Sequence, residues 1–286
     1  MTANEIIEGM KTLENPEKRK ILMGFFKTDK GEYGEGDQFL GLPVPETRLF
    51  VKQGKDLPLE EVQQLIDSPW HEVRLCGFLI LVNQFERLCK RDTPETIQKR
   101  DELVAFYLHN AKRANNWDLT DLSCYKVVGR WLLLPSQTSD DEKLAIMDRL
   151  AASNNLWEQR ISMVSTMATS MSGNPFYTLR YAEVHLHHPH DLMQKAVGWM
   201  LREMGKRCSM DILRDFLQEH AAEMPRTALR YAIEKMPQSE RIYWLTRRGG
   251  DSPRPSPRIN PRLLAERLSI VLFAARTLKG RENKKK

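Results

Sequence analysis

From residue 58 to residue 236 the chain repeats one hydropathy pattern. Apolar positions recur every three or four residues in runs that are broken by short polar links, the signature of amphipathic helices. The spacing predicts helices over 58–67, 70–90, 94–113, 118–133, 139–152, 155–171, 175–186, 190–206, 209–220 and 225–236. No run alternates strictly enough to predict a strand. Upstream, Ile6, Ile7, Met10 and Leu13 mark a first helix within 4–27, and Pro16 opens a second that runs through Phe25 and Phe26. The glycines and acidic residues of 31–37 predict a turn-rich loop, and Pro45 suits the first turn of a further helix. The predicted fold class is all-α.

Paired helices with short links suggest a repeat. Ala114-Asn115-Asn116 and Ser153-Asn154-Asn155 align with an offset of 39, and Pro189 and Pro225 open helices 36 residues apart. Such periods fit HEAT-like helical hairpins stacked into a solenoid with a concave groove. The same offset of 39 superposes Asp121 on Arg160, and a further offset of 35 superposes Arg160 on Lys195. Arg74 and Arg230 each follow a helix-opening proline by five residues and fall near the same place. The expectation is a row of cations along one face with a single carboxylate in it. Cations so arranged would track a phosphate backbone. The carboxylate, which repels phosphate, needs another purpose, and its neighbours should favour its ionised form.

Charge sharpens this picture. The whole chain carries +6, but residues 247–286 hold 12 Lys/Arg against 3 Asp/Glu, a net of +9, so residues 1–246 are at −3. A nucleic-acid partner of the body therefore requires cations gathered on one face. The predicted organisation is a solenoid domain over 1–246, then a basic Pro/Ser/Arg linker, an amphipathic helix over 262–279 and a disordered end. No apolar run is long enough to span a bilayer and no signal peptide is read at the N-terminus, so a cytoplasmic protein is expected. The four cysteines lack metal or disulfide spacing. His185-Leu186-His187-His188-Pro189-His190 lacks partnered ligands and reads as an inter-helix link.

Three short segments carry candidate chemistry. In Asn115-Asn116-Trp117-Asp118-Leu119-Thr120-Asp121, Asn116 or Asp118 caps a helix and Trp117 and Asp121 lie one turn apart on one face. In Leu156-Trp157-Glu158-Gln159-Arg160, Trp157 suits a core and Arg160 either a surface ion pair or a phosphate. In the segment from Lys195 to Arg202, Lys195, Trp199 and Arg202 share a face, and a Trp between two cations is foreign to an apolar stripe. Gly198 in the same helix costs roughly 1 kcal/mol against Ala, which a close backbone approach would justify.

NNWDLTD, LWEQR and QKAVGWMLRE, in that order, resemble the AlkD-type DNA alkylation repair glycosylases. FFKTDKGEYGEGDQFLGLPVPETR and MPRTALRYAIEK are similar to the same family, and the resemblance covers about residues 15–245. It implies a HEAT-like solenoid that holds double-stranded DNA and excises cationic N3- and N7-alkylated purines without flipping the base. It implies Asp121 as the catalytic aspartate, Trp117 and Trp199 as sugar-contacting tryptophans, and Arg160 as the phosphate-binding arginine near the lesion. Lys195, Arg202, Arg74, Arg230, Arg48 and Phe25 are the further expected DNA contacts. Phe25 stands where the family often has Tyr, and Asn116-Trp117 where it has paired tryptophans. No metal or organic cofactor is implied, and a monomer is expected. The rival reading is a non-catalytic scaffold that binds DNA, distorted or branched DNA included, or protein.

Overall fold

A computed structural model describes residues 1–247. The predicted linker beyond Arg247, the helix over 262–279 and the chain end lie outside the described residues. The described chain is all-helical: α1 (Ala3–Lys11), α2 (Pro16–Phe25), α3 (Val44–Gln53), α4 (Leu59–Ile66), α5 (His71–Leu88), α6 (Pro94–His109), α7 (Trp117–Cys124), α8 (Asp140–Ala151), α9 (Leu156–Val164), α10 (Thr166–Met171), α11 (Phe176–Val184), α12 (Asp191–Arg207), α13 (Met210–His220), α14 (Arg226–Ala232) and α15 (Gln238–Thr246). A single isolated bridge, Gln38 to Trp70, is the extent of β pairing among the described residues. None of the described helices is long and apolar enough to cross a membrane.

Local signals set the boundaries. Thr2 with Glu5 and Ser139 with Glu142 form reciprocal capping boxes on α1 and α8. Asn155 accepts from the N–H groups of Trp157 and Glu158 at the start of α9. Packing then advances along the chain as a helical-repeat solenoid. α5 packs against α3, α4, α6 and α7; α9 against α7 and α8; α12 against α9, α10, α11, α13 and α14. One continuous core runs through these layers, from Ile6 in α1 to Trp244 in α15.

Three predicted spans are broken. The span 94–113 ends as α-helix at His109 and closes with a 3₁₀ turn over Ala111–Arg113. The span 118–133 passes into a π-helical turn over Tyr125–Gly129, and 155–171 is interrupted at Ser165 between α9 and α10. The last two breaks meet: a Cβ on Gly129 would lie 2.2 Å from the Ser165 carbonyl oxygen. The backbones touch where the helices depart from regularity, and periodicity within either helix carries no sign of that.

The loop between α2 and α3 is tied down rather than splayed. Gly41 takes φ +90, and a Cβ there would sit 2.2 Å from the Asn15 carbonyl oxygen, so only glycine fits. The Glu72 carboxylate in α5 accepts from the backbone N–H groups of Leu40 (2.9 Å), Gly41 (2.8 Å) and Leu42 (3.1 Å). This anchoring brings the loop across the start of α7.

Candidate functional site

The site is built on α7. Asn116 caps it by accepting from the Trp117 N–H at 2.9 Å, and its amide faces the Phe26 carbonyl across the end of α2. The Trp117 ring stacks on Phe26 at 5.3 Å between centroids and meets the edge of Phe25 at 5.8 Å. One turn on, Asp121 receives Arg160 of α9 in a two-point grip, Nε to Oδ1 at 2.8 Å and Nη2 to Oδ2 at 2.7 Å. That geometry uses both carboxylate oxygens as acceptors and is the geometry of an ionised pair. The third guanidinium nitrogen donates to the Leu192 carbonyl in α12, so Arg160 also locks α9 to α12.

Burial raises the Asp121 pKa above the usual carboxylate value. Arg160 opposes the rise, and the charge of Asp118 adds to it. The cation acts in the expected direction, favouring the ionised form, but desolvation is the larger effect. The side chain keeps 12% of its surface exposed, enough to meet a ligand from one side.

Two cavities meet at this carboxylate. The first, about 630 Å³, is polar in part and is lined by Tyr33, Trp117, Asp121, Arg160, His190, Lys195, Trp199 and Tyr231, with Phe25 and Lys27 at its margin. The second, about 720 Å³, is largely apolar and shares Phe25, Trp117, Asp121 and Trp199 with the first. Leu22, Leu42, Leu122, Met167 and Met171 line much of it, and Tyr125, Arg207, His71 and Asp118 also contribute to its lining. Trp117, Asp121 and Trp199 therefore stand on the wall between a cation-bearing half and an apolar half.

The structure gathers Asp121, Trp117, Trp199, Arg160, Lys195 and Phe25 into one place. Lys195 is part-exposed and pairs with Asp191 at 2.6 Å. The other expected contacts do not line either cavity. Arg74 is buried: Nη2 binds Asp37 at 2.6 Å and Nη1 binds the carbonyls of Ser68 and Pro69. It is a structural cation, and the predicted row of four is broken there. Arg202 turns away to Glu234 of the next hairpin. Arg230 is exposed beside Tyr231, which takes the cavity position in its stead. Arg48 is exposed on α3, outside both linings.

Several residues of the site carry no signal in the sequence pattern. Tyr33 comes from the turn-rich loop and lies edge-on to Trp157 and His190. Burial pushes its phenol up, opposed by the Trp117 indole and by Lys195. His190, from the histidine-rich link, accepts from the Leu192 N–H as the cap of α12 and faces the cavity. His185 sits against Ser162 at 3.0 Å, and burial holds it at about 4, hence neutral. Among the described residues no group of three or more His, Cys, Asp or Glu side chains is placed to hold a metal ion. Asp118 is not the cap of α7; its Oδ2 lies 2.9 Å from His71 Nε2.

Comparison with known proteins adds three findings. Residues 6–236 match the family described as DNA alkylation repair enzyme. A solved structure, a predicted DNA alkylation repair enzyme from Enterococcus faecalis, superposes with a TM-score of 0.56 at 18% identity. The alignment covers 79% of this chain and 97% of that one, a likeness of fold. No curated protein matches the chain.

Proposed function

The chain belongs to the DNA alkylation repair enzyme family, and from that premise we propose that it is a DNA glycosylase that removes cationic N3- and N7-alkylated purines from duplex DNA. The observation that carries the reading is Asp121: a charge-paired carboxylate, nearly dry, that shares the lining of both cavities with two tryptophans.

The chemistry follows from the substrate. A purine alkylated at N7 or N3 is already positive and leaves without a general acid. The barrier lies in the deoxyribose, which gains oxocarbenium character as the glycosidic bond breaks. A carboxylate at C1′ stabilises that charge and orients the attacking water. Each Asp121 oxygen retains a lone pair beyond its bond to Arg160. Trp117 and Trp199 offer π faces to the same cation. Lys195 and Lys27 supply positive charge to the flanking phosphates, while Arg160 is committed to Asp121 and the Leu192 carbonyl. The scheme requires only a wall against which the lesion rests in the stack, without base flipping. No metal or organic cofactor enters this scheme, and the protein acts on DNA as a monomer within the cell.

The test is release of 7-methylguanine from methylated duplex DNA by wild type and Asp121→Asn, with duplex binding measured for both. Removing the charge should lower release about 10²–10³-fold while binding persists or tightens, the scale seen when an electrostatic stabiliser is deleted. Binding without release by either protein would favour the second reading, a DNA-binding scaffold. One observation supports that reading: a buried two-point Arg–Asp pair also serves as a purely structural brace.

A further inference from the structure

Behind the Trp117 ring lies a group that the scheme above does not use. His71, the first residue of α5, is wholly enclosed, and both of its ring nitrogens face carboxylates. Nδ1 is 2.8 Å from Asp37 of the loop between α2 and α3, and Nε2 is 2.9 Å from Asp118 of α7. Only the doubly protonated ring can donate to both, since a neutral imidazole turns a lone pair toward one of them. Its π surface is covered as well. Phe39 stacks on it at 4.4 Å and Phe26 lies 4.9 Å away, within cation–π range. Phe26 in turn is the ring on which Trp117 rests. One buried cation thus holds the loop, the end of α2 and the first turn of α7.

Resting on the glycosylase reading, we propose that His71 is a positioning residue for that reaction: by bridging Asp37 to Asp118 it fixes the rotation of α7, seats Trp117, and screens the Asp118 charge from Asp121. α7 has only eight residues, and Asp118 and Asp121 are three apart on it. A helix this short is oriented by its anchors rather than by its own ladder. Asp118 is also the one carboxylate whose charge raises the Asp121 pKa. Its Oδ1 is buried without a partner, so His71 is the sole hydrogen-bond partner of this carboxylate among the described residues.

The charges around the pair define the test. Asp121 faces Arg160 from α9, Asp118 from its own helix and Lys195 from α12, with the Tyr33 phenol and His190 across the cavity. His71 faces Asp37 and Asp118, and Arg74 balances Asp37. A neutral residue at 71 leaves Asp118 uncompensated and moves the Asp121 titration to higher pH. Asp118→Asn removes the repelling charge, keeps an oxygen to accept from His71, and moves it to lower pH. Both changes together return it toward wild type.

The experiment titrates the Asp121 carboxyl by ¹³C NMR in wild type, His71→Gln, Asp118→Asn and the double variant. The acid limb of 7-methylguanine release is recorded in parallel. The single variants should separate by about one pH unit in opposite directions. His71→Gln should lower kcat at least tenfold with little change in KM for the duplex. Equal titrations in all four proteins would overturn the proposal, as would equal kcat in wild type and His71→Gln. If the titrations shift as expected but no protein releases base, the electrostatic coupling stands and the glycosylase reading fails. Asp118→Asn preserves shape, so the NMR comparison holds should His71→Gln fold poorly.

Discussion

Replacing Gly198 by alanine sets a local gain against a tertiary loss. Alanine in a helix interior is worth roughly 0.5–1 kcal/mol over glycine, and Gly198 lies in the middle of α12. A Cβ there would come 2.2 Å from the Ala228 carbonyl oxygen and 2.5 Å from the Cβ of Tyr231, both in α14. Relief requires the α12–α14 spacing to open by about 1 Å, since a carbon–oxygen contact settles near 3.2 Å or beyond. Neither obstacle is a flexible side-chain end, so the whole of α14 must move. Overpacking of this kind costs about 1–3 kcal/mol and more when backbone is involved. The net expectation is a destabilisation of about 1–2 kcal/mol. Tyr231 would be carried out of the cavity wall as α14 withdraws. Gly24 is the control: it lies in α2 with open space around its Cβ position, so Gly24→Ala should stabilise by about 0.5–1 kcal/mol. Urea unfolding of the three proteins at one pH reads both effects through the midpoint and slope. If Gly198→Ala unfolds at the same or higher urea than wild type, the packing argument fails.

Two further expectations concern the braces of the site. His71 is raised from 6.5 to about 9 in the folded chain by Asp118 and Asp37, against the opposing effect of burial. A raised pKa contributes stability that is complete below pH 6.5 and lost as the pH climbs through 9. The full contribution is on the order of 3 kcal/mol. Thermal or urea unfolding of wild type should therefore approach that of His71→Gln as the pH rises above 9, and a constant gap would contradict the assignment. Glu72→Gln leaves the shape of its side chain intact but turns an amide NH₂ toward at least one of the three N–H groups that the carboxylate accepts. The expected loss is about 3 kcal/mol, visible as a lower urea midpoint; a change below about 0.5 kcal/mol would show that the loop is anchored elsewhere.

The all-helical class and most helix starts are legible in the sequence, as are three segments whose residues line the candidate site. These are properties of residues within one turn of each other: apolar spacing, a Thr or Asn cap, a proline at the first position. The i and i+4 pair Trp117 and Asp121 was legible for that reason, and so was the glycine at 198, whose cost implied a close backbone neighbour. What the pattern misplaced involves distances along the chain that no period encodes. Arg74, Arg202 and Arg230 share a repeat position or a helix face with true cavity residues, yet Asp37 captures the first, Glu234 the second, and Tyr231 displaces the third. The direction of the Asp121 shift was likewise undecidable in one dimension, because desolvation depends on what closes over a side chain. Asp37, His71 and Asp118 look like ordinary loop and helix-start residues in the sequence. Folding brings a loop, α5 and α7 together around Phe26 and Phe39 and makes them one buried ionic unit. Local spacing fixes which residues can form an element; burial across the solenoid fixes the charge and the partner each of them ends with.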